Sequence, residues 1–112
     1  MNNIPRPADQ NIFEKIVDIQ AAVSRVWRAL TTPAIMKKWM MPDMEIEILT
    51  DWKVGGLLLI RGNMNGKDFE NRGTVLQYET EKRLQYSHWS TISRLPDRPE
   101  NYSIVGFELQ PV

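Results

Sequence analysis

The spacing of hydrophobic residues changes along the first part of the chain. Residues 11–19 (NIFEKIVDI) are rich in β-branched side chains and roughly alternate between apolar and polar, which predicts a first strand. After residue 20 the apolar side chains recur with the i, i+3, i+4, i+7 spacing of a short amphipathic helix. The residues that form this apolar stripe are Val23, Val26, Trp27 and Leu30.

A second short helix is predicted within residues 31–43 (TTPAIMKKWMMPD). Thr32 is suited to the N-cap and Pro33 to the first helical position, and the second proline ends the helix. A helix this short is unstable alone, so Ile35 and Trp39 are expected to hold it against the first helix and the sheet edge. Its methionines can adapt to a guest of variable shape. We therefore expect this segment to act as a movable lid.

The rest of the chain is predicted to form strands joined by turns. The pair Asn65 and Gly66 is a strong signal for a tight hairpin, and Gly55 with Gly56 marks a turn or bulge. The element order β-α-α-β-β-β-β-β indicates an α+β domain with an antiparallel meander. We expect a flexible N-terminal segment followed by a single domain, over residues 1–10 and 11–112. The predicted later strands cover residues 45–50, 57–60, 69–80, 83–93 and 102–110.

Four stretches of the chain, in this order and spacing, resemble one known family. They are VSRVWRALTTPAIMKKW, DWKVGG, GTVLQYETEKRLQYSHW and LPDRPENYSIVGFEL. The family is that of the activator of 90-kDa heat-shock protein ATPase homologues, a branch of the START-like (SRPBCC) superfamily. The resemblance implies a helix-grip fold. In that fold a curved antiparallel sheet wraps a long C-terminal helix, and a cavity lies between them under two short helices.

The sequence departs from the family pattern in two places. Ala22 stands where members often have a proline before the first helix. Members also continue after the equivalent of FELQP with another strand and the long helix, whereas this sequence stops at Val112. The domain is therefore expected to lack its C-terminal helix and to be incomplete at its C-terminus, either as a fragment or as a natural short form.

Composition narrows the function classes. The 112 residues include 14 basic and 14 acidic side chains, so the net charge of zero gives no reason to expect a nucleic acid or an anionic membrane as partner. There is no cysteine, which excludes disulfides and thiolate metal sites. The N-terminal residues lack the apolar core of a signal peptide, and no apolar run reaches membrane-spanning length. We expect a cytoplasmic protein.

Candidate catalytic groups are few. His88 is the single histidine, and strand alternation places it on the same face as Leu84 and Tyr86. We interpret His88 as structural or ligand-contacting rather than catalytic. Glu45 and Glu47, two residues apart in a strand, are interpreted as a solvated face. The sequence contains no His-x-x-x-His or Asp-x-Asp spacing, so we expect neither a metal nor a cofactor.

The favoured hypothesis is the non-catalytic binding of a small apolar or amphipathic molecule in the helix-grip cavity. One alternative is a protein-interaction module that activates a chaperone ATPase, which rests on the family name alone. Another is an enzyme, because some START-like relatives are cyclases or hydrolases. Which alternate residues of the apolar run 57–60 face the cavity stays open. The candidate ligand-binding residues are Met36, Trp39, Met40, Leu58, Ile60, Tyr86, His88 and Phe107.

We also expect a homodimer. Without a C-terminal helix, the inward residues of the last strand and of the strand before it are expected to face water. Such an apolar surface exceeds what a soluble monomer usually tolerates, and the last strand offers an unpaired edge. A second copy packed through the open side of the sheet would cover both, with Phe107 near the interface.

Overall fold

The computed structural model describes residues 13–111, which form two helices packed on one face of an antiparallel sheet of five strands. The α+β class predicted from the sequence is confirmed. The helices are α1 (Val23–Thr31) and α2 (Pro33–Met40). The strands are β1 (Ile46–Thr50), β2 (Leu57–Met64), β3 (Lys67–Glu79), β4 (Arg83–Ser90) and β5 (Ser103–Glu108).

The sheet is a simple meander in the order β1-β2-β3-β4-β5, with every neighbouring pair antiparallel. The predicted hairpin between β2 and β3 is confirmed. Asn65 and Gly66 both have positive φ, 53° and 84°, as the tightest hairpin turns require. The register pairs Ile60 of β2 with Asn71 of β3, and Asn71 in turn with Ser90 of β4. These three residues therefore share one face of the sheet.

The helices pack on the inward face of the sheet, with α2 against β1, and the core lies between the helices and the sheet. On β2 the strand alternation turns Leu58 and Ile60 inward, while Leu57 is 56% exposed. The inward set that the sequence left open is thus settled by the structure. On α1 the predicted apolar stripe is confirmed, since Trp27 is its buried residue. The buried cluster comprises Trp27, Met36, Ile46, Ile48, Leu58, Ile60, Phe69, Leu84 and Tyr86.

An aromatic group ties the end of α1 to the sheet. The indole Nε1 of Trp52 donates a hydrogen bond of 2.6 Å to the carbonyl of Thr31, the last residue of α1. The ring of Trp52 stacks on Tyr78 of β3 at 5.8 Å, and Trp27 meets the same tyrosine edge-on at 5.2 Å. The two helices are therefore anchored where the chain passes from one to the next.

The prediction of a first strand over residues 11–19 is wrong for the part that the structure describes. Residues 13–19 form no regular element, and residues 11 and 12 lie outside the described part of the chain. Phe13 is 98% and Ile16 92% exposed. A strand exists only when its backbone pairs with a neighbour, and no described strand pairs with this segment. The alternation of apolar and polar residues was therefore not sufficient to predict a strand in this segment.

Smaller differences concern the ends of elements. Thr32 and Pro33 take the predicted N-cap and first helical positions of α2, but the threonine hydroxyl makes no capping hydrogen bond. The strand predicted over 83–93 ends at Ser90, whose hydroxyl accepts from the backbone N–H of Ile92 and starts a 3-10 turn. The predicted flexible segment 1–10 lies outside the described residues. No helix within residues 13–111 is long and apolar enough to cross a membrane.

The inward face near β5 is more covered than the sequence suggested. Leu84 and Tyr86 of β4 are buried, with 1% and 5% exposure, so the expectation that they face water is wrong. Val105, Phe107 and Leu109 are half-buried and pack against the core.

Candidate functional site

A cavity of about 340 Å³ lies between the end of α2 and the inward face of the sheet. This volume falls within the range of small-molecule sites in proteins. The apolar residues that line the cavity are Trp39, Met40, Met41, Ile46, Leu58, Ile60 and Val105. The polar residues that line it lie on the central strands β3 and β4, which we call its polar side: Asn71, Tyr86, Ser87 and His88, together with Arg72 and Gly73.

Most of the residues predicted from the sequence to bind a ligand line this cavity. They are Trp39, Met40, Leu58, Ile60, Tyr86 and His88. Met36 does not line it, because its position on α2 turns it onto the sheet, where it is 1% exposed. Phe107 does not line it either. It pairs with Leu84 near the end of β5, whereas the cavity meets that strand two residues earlier, at Val105.

Sequence reasoning missed several lining residues. Val105 could have been predicted, because it shares a face of β5 with the selected Phe107. Ile46 could have been predicted too, because it alternates with the exposed Glu47 in β1. Asn71 also left a signal, since it is a polar residue at an inward position between Phe69 and Val75. Ser87 could not have been predicted in this way, because it alternates with Tyr86 and His88 along β4 and is therefore expected on the opposite face of the strand.

The segment predicted as a lid forms one wall of the cavity. Trp39 is 44% exposed, and its indole Nε1 donates a hydrogen bond of 2.8 Å to the carbonyl of Ala29 in α1. Met36 is the residue of α2 that is fully buried. One fully buried side chain and one exposed hydrogen bond help to hold the helix, while Met40 at its C-terminal end packs against the core and borders the cavity.

Asn71 is the unusual residue of the polar side. It is 8% exposed, and its Oδ1 atom is buried without a hydrogen-bond partner among the described residues. A buried polar atom left in this state destabilises a protein by about 1–3 kcal/mol. Native structures contain few such atoms, and each one points to a function or to a missing partner.

Burial shifts the pKa values of two titratable groups that line the cavity. Burial lowers the pKa of His88 from its usual value of 6.5, which favours the neutral imidazole at neutral pH. Burial raises the pKa of Tyr86, so its phenol stays protonated. In both residues the shift has no contribution from a neighbouring charge, in contrast to groups that are activated by an acid or base partner.

Arg72 borders the cavity, but its charge is engaged elsewhere. Its guanidinium bonds the carboxylate of Glu70 and lies 3.3 Å from that of Asp97. The hydrogen bond to Glu70, followed by that residue's charge, raises the pKa of the arginine further. Arg72 alternates with the inward Asn71 and Gly73 along β3, so these ion pairs lie on the outer side of the sheet. The cavity itself therefore meets neutral polar groups.

The model of the family described as "Activator of Hsp90 ATPase homolog 1-like protein" matches residues 20–112. The chain belongs to this family. The resemblance noted from the four sequence stretches is thereby confirmed. Membership supports a ligand-binding or activator-type module in general terms. A comparison with curated proteins found no match.

Solved structures support the same fold. A Cytophaga hutchinsonii protein is 38% identical, with a TM-score of 0.72, and the match covers 84% of this chain and 62% of that one. A Chromobacterium violaceum protein is 25% identical, with a TM-score of 0.69 and coverage of 82% and 64%. A Rhizobium loti protein at 21% identity and a TM-score of 0.68 shows the fold alone, with coverage of 85% and 68%.

These comparisons confirm the helix-grip class for the two helices and the open antiparallel sheet of residues 13–111. The chain spans less than two thirds of the length of the Cytophaga hutchinsonii and Chromobacterium violaceum structures.

Proposed function

We propose that this protein binds a small apolar or amphipathic molecule in the cavity between α2 and the sheet, without catalysing a reaction. The observation that carries the proposal is the cavity itself, with its volume of about 340 Å³ and its largely apolar wall. An apolar cavity of about 150 Å³ is enough for benzene. The space here suits a molecule of one or two rings.

The wall has the properties of a site that adapts to its guest. Met40 and Met41 have unbranched, polarisable side chains that repack at little cost. Trp39 offers a large aromatic surface at the entrance while remaining partly exposed. Burial of a ligand against these side chains would remove apolar surface from water, at about 25 cal/mol per Å².

The chemistry of the wall supports binding more than catalysis. Burial alone shifts the pKa values of His88 and Tyr86, so neither belongs to a pair in which a charged partner activates a nucleophile or base. The carboxylates of Glu45 and Glu47, interpreted from the sequence as a solvated face, lie at exposed positions outside the cavity lining.

Native mass spectrometry of the purified protein is the first test. We expect a co-purified small molecule or, after its removal, stoichiometric binding of an apolar fluorescent probe. Val105→Trp should fill the cavity at β5 and weaken probe binding. Ile104→Trp is the matched control, because Ile104 is the preceding residue, is 64% exposed and points to the other face. Equal binding by the two variants, or no binding by the parent protein, would count against the proposal.

The description of the family favours a second candidate, an interaction with a chaperone ATPase. Purified 90-kDa chaperone gives a direct test, because an activator would raise its ATPase rate in proportion to added protein. If the rate rises equally with the parent protein and with Val105→Trp, the interaction does not use the cavity. If the parent protein leaves the ATPase rate unchanged, the hypothesis of a chaperone activator is wrong.

A further inference from the structure

Residues 13–19 expose apolar side chains that no other part of the described chain covers. Phe13 and Ile16 are 98% and 92% exposed, and Val17 and Ile19 are 61% and 56% exposed. The segment forms no regular element, and its hydrogen bond from the N–H of Ala21 to the carbonyl of Ile19, at 2.9 Å, is a local one. Its composition is nevertheless that of a strand, because β-branched and aromatic residues alternate with charged ones. The segment therefore has the sequence of a strand and pairs with none of the described strands.

β5 is a sheet edge that is open to an added strand. Within the described sheet it pairs on one side only, with β4. Natural proteins usually protect such an edge with lysine, proline or a bulge. β5 (SIVGFE) contains neither lysine nor proline, and its one charged residue, Glu108, is paired with Arg83 at 3.0 Å. The opposite edge strand, β1, has α2 packed against it, so β5 is the less protected edge of the two.

The side chains of the segment and of β5 alternate in a compatible way. On β5, Val105 and Phe107 pair with the buried residues of β4 and are half-buried on the inward face, whereas Ile104 is 64% exposed on the other face. In the segment, alternation places Phe13 and Val17 on one face and the acidic side chains on the other. A strand added with its apolar face inward would continue the inward face of the sheet beyond Val105, where the cavity meets β5.

The area that such pairing would bury is large enough for a specific interface. An exposed phenylalanine offers roughly 200 Å² and an exposed aliphatic side chain on the order of 100 Å². The inward side chains of the segment would therefore bury on the order of 300 Å², and the strand that they cover would bury a similar area. Two equivalent strand pairs would bury on the order of 1,200 Å², above the roughly 1,000 Å² that a specific interface needs.

A second copy of the chain provides a partner for both features at once. In the single chain the segment stays exposed instead of pairing with its own β5. In a two-fold dimer each chain would give its segment to the partner and receive the partner's segment in return, so that the assembly is closed. The addition of an extended segment to a sheet edge is a common mode of protein recognition, in which the backbone supplies the hydrogen bonds.

We propose that residues 13–19 of one copy add as a further strand to the edge of β5 of a second copy, in a reciprocal exchange. The apolar face with Phe13 and Val17 would lie beside Val105 and Phe107 of the other copy. This inference goes beyond the proposed ligand-binding function, and it assigns a specific interface to the homodimer that we expect from the sequence. The segment becomes an ordered strand only in the dimer.

A spin label on one copy tests which part of the other copy it meets. The chain has no cysteine, so Ile104→Cys provides a single attachment site beside the edge of β5. Mixed with isotope-labelled parent protein, this labelled variant should broaden the NMR amide signals of residues 13–19 of the parent. Leu49→Cys is the matched control, because Leu49 is 42% exposed on β1, at the opposite edge of the sheet. Its label should leave these signals sharp.

Two substitutions in the segment test which of its faces is buried. Val17→Lys places a charge on the inward face of the added strand and should weaken the dimer at least about tenfold in sedimentation, because charged residues are depleted from interface cores. Ile16→Lys is the matched control, because Ile16 is also exposed and alternates onto the other face, and it should weaken the dimer much less. Both residues lie outside the core, so both variants should fold.

The outcomes separate the strand exchange from the dimer and from ligand binding. A parent protein that sediments as a monomer would overturn the inference without the need for a variant. A dimer in which the label at Ile104 leaves residues 13–19 sharp, or in which Val17→Lys and Ile16→Lys act equally, would overturn the exchange and leave a dimer of another kind. None of these results bears on the cavity, which the probe-binding experiment tests separately.

Discussion

At the scale of single residues, His88 should make the stability of the protein depend on pH, because burial lowers its pKa below the usual 6.5. The unfolded chain then takes up a proton at a higher pH than the folded protein does. The free energy of unfolding should therefore fall as the pH falls from about 6.5 towards the folded-state pKa, and this contribution should level off below it. Urea unfolding at a series of pH values measures the slope.

His88→Gln is the control for this prediction. The chain has no other histidine, and most carboxylates titrate below about pH 5, so the substitution should flatten the slope in this window. The fold should be retained, because glutamine keeps a hydrogen-bonding group at a half-buried position. A slope that persists unchanged in the variant would assign the pH dependence to another group.

A second prediction for a single residue concerns Gly73 and the stability of the protein. A Cβ atom at this position would lie 1.7 Å from the carbonyl oxygen of Ser87, so β3 and β4 could not keep their spacing. Gly73→Ala should lower the free energy of unfolding by on the order of 3 kcal/mol, as overpacking against a backbone does. The change would be measured by chemical denaturation.

Gly106→Ala provides the comparison for Gly73. It lies in β5 of the same sheet, where the nearest atom to a new Cβ would be 3.8 Å away. Its effect should stay within about 0.5 kcal/mol, as for most surface substitutions. If the two variants lost a similar free energy of unfolding, contact with Ser87 would not be the reason for the effect of Gly73→Ala.

At the scale of elements, α2 combines a short length with a weak attachment. Its fully buried residue is Met36, and the exposed ring of Trp39 adds a single hydrogen bond to Ala29. Trp39→Phe removes this hydrogen bond and should lower stability by about 1 kcal/mol. Trp39→Ala should lower it by about 2 kcal/mol, less than the 3–5 kcal/mol of a fully buried aromatic residue.

Hydrogen exchange tests whether this element opens as a lid. We expect the amides of α2 to exchange faster than those of residues 86–89 in β4, and faster still in Trp39→Phe. Lys38→Ala, at an exposed position of the same helix, should leave the rates unchanged. If the amides of α2 in the parent protein were as protected as those of β4, a readily opening lid would be ruled out.

At the scale of the whole molecule, the homodimer stays a prediction, and the structure changes the argument for it. The inward residues of β4 are buried, so the apolar surface left at the open side is smaller than the sequence suggested. Half-buried Val105, Phe107 and Leu109 still border that side, and β5 is an edge strand within the described sheet. Edge strands of this kind favour pairing with another chain.

Sedimentation at micromolar concentration should therefore give a dimer. Leu109→Lys places a charge directly after β5, at a residue that packs against the core, and should shift the protein towards monomer. Ile104→Lys should not, because that residue is exposed on the opposite face of the strand. A folded parent protein that sediments as a monomer would disprove the dimer, and equal effects of the two variants would place its interface elsewhere.

The sequence by itself determined the elements whose signals are local. The spacing of Val23, Val26, Trp27 and Leu30 predicted α1, the pair Asn65 and Gly66 predicted the hairpin, and alternation predicted the inward face of β4. These features depend on the period of the backbone and on turn geometry, which neighbouring residues set. Six of the eight residues predicted to bind a ligand line the cavity, while other lining residues were missed.

The tertiary structure alone decided the features that depend on distant partners. Residues 13–19 have the composition of a strand but find no neighbour among the described strands, because pairing is a long-range contact. The hydrogen bond from Trp39 to Ala29 helps to hold α2, and Leu84 and Tyr86 become buried in the core. The unpaired Oδ1 of Asn71 exists only because three strands and a helix close around it, and no local pattern records what a folded chain leaves unsatisfied.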